Sequence, residues 1–121
     1  MSTIIILENA TEYNLSQVGL HYSSDEATSE AVAVNVQTNA RLGLRSSGGK
    51  DSQNFSVGVV YNGTTYQISL NQDHIPGTMV NQTTLVQLTH TENGFVIHFN
   101  NTYNTLSVGN WPLEVNLDKQ P

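Results

Sequence analysis

Three of the four basic residues in this 121-residue chain fall within ten positions of one another: Arg41, Arg45 and Lys50, with Asp51 directly after, around the run Ser-Ser-Gly-Gly at 46–49. A guanidinium is a planar fork of donors that matches phosphate oxygens, and a carboxylate attracts an ammonium group. With an aromatic ring nearby to add a cation–π face, Tyr22 being the candidate, the set could hold a small zwitterion. Arg41 and Arg45 are four residues apart and share one face if the segment is a strand. The same charges would also protect the open edge of a sheet, and the spacing alone leaves both readings standing.

The other chemically competent residues are more scattered. The four histidines, His21, His74, His90 and His98, show no ligand spacing for a metal, and a hairpin turning at Asn93-Gly94 would put His90 and His98 on opposite faces. In the loop 71–82, Asp73 offers one carboxylate, fewer than calcium usually takes. No cofactor or metal site is expected. Asp73 and Asn81, with Tyr103 or Trp111 as an aromatic platform, form an alternative set suited to a sugar. There is no nucleophile elbow, no cysteine and no phosphate loop, so no catalytic residue is assigned, although a triad assembled in space is left open.

These residues must be positioned by strands. The stretch FSVGVVYNGTTYQISL, residues 55–70, alternates on both sides of Asn62-Gly63 and asks for a two-residue type I′ turn. That register opposes Phe55 with Leu70, Val57 with Ile68, Val59 with Tyr66 and Tyr61 with Thr64. Ser56, Gly58, Thr65, Gln67 and Ser69 then line the solvent face, and a one-residue slip would invert the two faces. A second hairpin is expected over residues 83–100. Shorter alternating runs occur at 31–36, 40–45 and 104–109, and a last one begins at Trp111. Near the amino terminus, Ile4 to Leu7 is too short for a signal sequence or a spanning helix and reads as a buried strand. No stretch keeps a 3.6-residue period. Many short strands punctuated by turns predict one all-β domain over residues 1–121, an antiparallel β-sandwich.

Composition narrows the partners. The net charge of −6 argues against nucleic acid and against adhesion to anionic lipid by bulk charge. Only 12% of residues are charged, about half the usual share, so neutral Asn, Thr, Ser and Gln must cover the surface. The absence of cysteine and of a signal peptide suggests a cytoplasmic or non-classically released protein.

The segment TIIILEN at 3–9, followed by VGLHYSS, resembles the amino-terminal part of the aegerolysins, small acidic β-sandwich proteins. The likeness extends through ARLGLRSSGGKDSQNFSVGVV, DHIPGTMVNQTTLVQL, GFVIHFNN and LEVNLDK. It implies peripheral binding to membrane lipid head groups, sphingolipid or ceramide phosphoethanolamine. In several members it also implies action with a larger pore-forming partner protein as a two-component cytolysin or insecticidal toxin. Carried over, Tyr22 falls at a membrane-facing aromatic and Asp51 near a head-group acid. The expectation is therefore a non-catalytic lipid-recognition protein using Tyr22, Arg41, Arg45, Lys50 and Asp51. A lectin is the alternative, and a viral, phage or spore structural subunit the third reading.

Overall fold

The structure, a computed structural model, describes residues 2–47, 52–75, 79–100 and 113–121. These form strands β1 (Ser2–Asn9), β2 (Leu15–Ser23), β3 (Thr28–Val36), β4 (Arg41–Ser47), β5 (Asn54–Tyr61), β6 (Thr64–Leu70), β7 (Thr83–Thr91), β8 (Gly94–Asn100), β9 (Leu113–Asn116) and the short β10 (Asp118–Lys119). One 3-10 turn, Gln72–His74, interrupts the loop after β6. The strands pair as two five-stranded sheets in the orders β4-β1-β7-β8-β9 and β10-β6-β5-β2-β3. We call them sheets A and B. Sheet B is antiparallel throughout, whereas in sheet A the central β1 runs antiparallel to β4 and parallel to β7. The inner faces pack on each other, which is the expected all-β sandwich. Among the described residues no helix is long and apolar enough to cross a membrane.

The Ile4–Leu7 run lies in a central strand and alternates instead of being buried throughout. Ile5 and Leu7 point into the core and are fully buried, while Ile4 and Ile6 are half-buried on the outer face of sheet A. Their branched side chains suit a pleated surface, and each fully buried one contributes about 1.5–3 kcal/mol. Across the interior, the Phe55 and Phe99 rings meet edge to face with centroids 5.6 Å apart.

The first hairpin adopts the register read from its sequence, pair for pair. Asn62 and Gly63 both take left-handed backbone angles, φ 51° and 78°, as a type I′ turn requires. Val57 and Val59 are fully buried, whereas Tyr66 and Ile68 are half-buried, the short β10 being the only described strand beyond β6. The second hairpin turns one residue earlier than expected. Glu92 and Asn93 make the loop, Thr91 faces Gly94, and Gly94 uses its conformational freedom (φ 121°) as the first residue of β8. Partners thus shift by two positions, which leaves every side chain on its expected face, and His90 and His98 still point opposite ways.

The ends of the sandwich differ. One end closes with tight connections. Buried Asn9 Nδ2 donates there to the carbonyls of Tyr13 (2.9 Å) and Val36 (3.1 Å), and the rings of Tyr61, Tyr66 and His90 gather around Phe95, with Tyr13 against Tyr61 and His90. At the other end longer connections cross between the sheets. The Met79 amide donates to Gln53 Oε1 (3.1 Å) and the Asn81 amide to Thr3 Oγ1 (2.8 Å), tying the loop after β6 to the starts of β5 and β1.

Candidate functional site

The outer face of sheet A carries a row of polar side chains in register across all five strands: Arg41, Glu8, Gln87, His98 and Glu114. They bind one another. Both Nε and Nη2 of Arg41 lie 3.0 Å from Glu8 Oε2, and Gln87 Nε2 donates to Glu8 Oε1 at 3.0 Å. These hydrogen bonds, from Gln87 first and then Arg41, hold the Glu8 carboxyl below its ordinary range. His98 Nδ1 is 3.0 Å from Glu114 Oε1, and His98 Nε2 is 2.7 Å from Thr89 Oγ1. Hydroxyl, imidazole and carboxylate thus stand in the order of a nucleophilic relay. They stand on an open sheet face, where strand pairing already engages the backbone N–H groups that an oxyanion would need. We read them as the end of the polar row.

The basic pair behaves as its spacing predicts. Arg41 and Arg45 are exposed on the same outer face of β4, which is an edge strand of sheet A, and Arg45 Nε donates to Ser2 Oγ at 3.1 Å. Tyr22 does not join them, and its assignment as a ligand-facing aromatic is corrected here. It is fully buried on the inner face of sheet B, in the row Val18, Leu20, Tyr22, and has no exposed ring face to offer a head group. Burial pushes its hydroxyl up to about 12. That hydroxyl is turned toward Thr3 but makes no hydrogen bond of good geometry. Lys50, Asp51, Tyr103 and Trp111 lie outside the described residues. Of the sugar-binding alternatives, Asp73 is exposed in the 3-10 turn. Asn81 has a left-handed backbone (φ 59°), its backbone amide donates to Thr3 Oγ1, and its Oδ1 is buried without a hydrogen-bond partner.

Sheet B presents a different outer face. Gly19 of β2 lies directly opposite Gly58 of β5, with Val32 of β3 beyond Gly19 and Gln67 of β6 beyond Gly58. Two adjacent strands therefore lack side chains at the same level, and a trough of about 310 Å³ opens there. The neighbouring row, Glu30, His21, Ser56 and Ser69, forms its end wall. His21 Nε2 is 3.8 Å from Glu30 Oε1, and the Ser56 and Ser69 hydroxyls are 3.1 Å apart. Neither glycine has a left-handed backbone. A Cβ on Gly58 would meet nothing within 4 Å, and one on Gly19 would make an ordinary contact with Val32 at 3.8 Å. Nothing in the packing demands these glycines, although each costs a strand about 0.5–1 kcal/mol relative to alanine. A second depression, about 490 Å³, lies beside Asn14, Ser16, Asn35 and Gln37, where Asn35 (φ 53°) kinks β3.

Compared with protein families, curated proteins and solved structures, the chain matches none. Among the described residues no group of three or more His, Cys, Asp or Glu side chains is placed to hold a metal ion. Half of the trough wall, Ser56, Gly58, Gln67 and Ser69, was already assigned to a solvent face by the hairpin pattern. The other half, Gly19, His21, Glu30 and Val32, joins it only through the pairing of β2 with β3 and β5.

Proposed function

We propose that this protein is a non-catalytic recognition module that takes a neutral, hydroxyl-bearing ligand of saccharide type into the Gly19–Gly58 trough. The observation that carries this is the pair of facing glycines, which open a concavity required by neither backbone nor packing. Around it, Ser56, Ser69, Gln67 and His21 supply groups that both donate and accept hydrogen bonds, which suits hydroxyls, while Val32 offers an apolar wall. Glu30 and the net charge of −6 disfavour an anion. A volume of about 310 Å³ is at the small end of ligand sites, so one or two sugar rings are the expected scale.

Lipid head-group recognition is the second reading, favoured by the exposed pair Arg41 and Arg45 beside half-buried Ile4 and Ile6, a neighbourhood suited to the phosphate and first methylenes of a lipid. A larger pore-forming partner belongs to that reading only. One experiment separates the two: a glycan array run beside a liposome pulldown, each with wild type, Gly58→Val and Arg45→Ala. Filling the trough should reduce glycan binding at least tenfold and leave the melting temperature unchanged or higher, since valine favours a strand. Liposome capture that depends on Arg45 and ignores Gly58→Val would establish the second reading. Silence in both arms would overturn both.

A further inference from the structure

The edges of the two sheets are not equally guarded. In sheet A, edge strand β4 carries Arg41 and Arg45, and the opposite edge, β9, is four residues long with Glu114 at its centre. In sheet B, β10 has two residues, both charged. The remaining edge, β3, has nine residues, pairs among the described residues only with β2, and includes a single charged residue, Glu30. Its outward-facing Val32 and Val34 are 61% and 65% exposed, the large hydrophobic side chains most open to solvent among the described residues. A long apolar edge without guarding charges is a template for another strand.

We propose that the occupant is a second copy of this chain, paired antiparallel through β3 about a two-fold axis at Val32. Charge and pattern select this register. Val32 then faces its own copy, and Val34 faces Glu30 of the other chain. The two Glu30 residues lie about 13 Å apart along the strands, beyond the roughly 8–10 Å over which exposed charges interact at physiological salt. Moving the axis to Ala31 would set the two Glu30 side chains diagonally against each other at about 7–8 Å. The chosen register uses Glu30–Val34 and avoids the kink at Asn35. It merges both B sheets into one ten-stranded sheet.

Because Gly58, Gly19 and Val32 occupy one level across the sheet, the axis aligns the two troughs on the same face, with centres about 20 Å apart at the usual strand spacing. This alignment rests on the ligand reading above; the edge pairing does not. A chain-like ligand with repeated units would bridge both troughs and gain avidity.

Analytical ultracentrifugation from micromolar to submillimolar concentration tests the pairing. Wild type should shift from one to two chain masses, and Val34→Glu, which alters an exposed side chain and sets its carboxylate opposite Glu30 of the other chain, should stay at one mass with an unchanged melting temperature. Since the chain has no cysteine, Val32→Cys should form a disulfide-linked dimer on oxidation, the axis setting its two Cα atoms within disulfide range. A wild type that remains at one mass throughout, or Val34→Glu associating as wild type does, overturns the proposal. Dimers in which Val32→Cys fails to cross-link overturn the register. Val34→Glu should keep the affinity of each trough for a short saccharide, since residue 34 does not line it, so a failure of the ligand reading would leave the sedimentation result standing.

Discussion

The outer faces of the two sheets spend their polar side chains in opposite ways. On sheet A, Arg41, Glu8, Gln87, His98 and Glu114 hydrogen-bond largely to one another, so little of their capacity remains for a ligand. On sheet B, comparable groups stand around a floor stripped of side chains by Gly19 and Gly58, joined to one another only by the exposed Ser56–Ser69 hydrogen bond and the longer His21–Glu30 contact among the described residues. Both faces are polar and both lie in register across their strands. Recognition therefore depends less on which polar residues a face carries than on whether they are already satisfied by their neighbours.

Substitutions can break this contrast, and the largest effect should come from the core beneath both faces. Val59 is adjacent to Gly58 on β5 but points inward and is fully buried. Val59→Ala should cost about 1–3 kcal/mol in denaturant unfolding, while Gly58→Val one position away should cost nothing. Tyr22→Phe comes next, at alkaline pH. The folded protein holds the Tyr22 proton until about pH 12, whereas the unfolded chain releases it near about 10. The stabilisation is complete below the lower value and is lost as pH rises through the upper. Thermal melts should then show Tyr22→Phe close to wild type at neutral pH and up to about 3 kcal/mol more stable at the alkaline limit.

On sheet A, Glu8→Gln removes the charge that Arg41 and Gln87 both serve and should cost about 1 kcal/mol at pH 7. Because the Glu8 carboxyl is held low, its contribution is present above the ordinary glutamate range and is lost as pH falls through the lowered one, so the two curves should converge in acid. On sheet B, Ser69→Ala should move stability by less than about 0.5 kcal/mol, since its bond to Ser56 is exposed, while weakening glycan binding. A loss at Ser69 as large as that at Glu8 would erase the distinction between the faces.

How much of this was legible in the chain depended on how local the determining interaction is. The Asn62-Gly63 hairpin was readable to the individual pair because its turn chemistry and its alternation agree. The second hairpin was readable in face but not in partner, since glycine serves equally at the end of a turn or at the start of a strand. Tyr22 was misassigned although a signal existed: Val18, Leu20 and Tyr22 alternate with Gly19 and His21, which places Tyr22 in the inward row. The trough could be read only by halves. Nothing near Gly19 indicates that a glycine 39 residues later will lie opposite it; long-range strand pairing decides that.

The parallel pairing of β1 with β7 has a consequence in time. β1 is made first, yet its partner strands end at Ser47 and Thr91, so its apolar residues wait for most of the chain to be synthesised. At a translation rate of roughly 5–20 residues per second, the delay between β1 and the end of β7 is about 4–16 s. Throughout that interval the nascent chain exposes Ile4-Ile5-Ile6-Leu7 with one edge unpaired, long after β2 and β3 could have met. The finished sheet thus hides an apolar edge that stays open during synthesis, and the docking of β7 is the step that closes it.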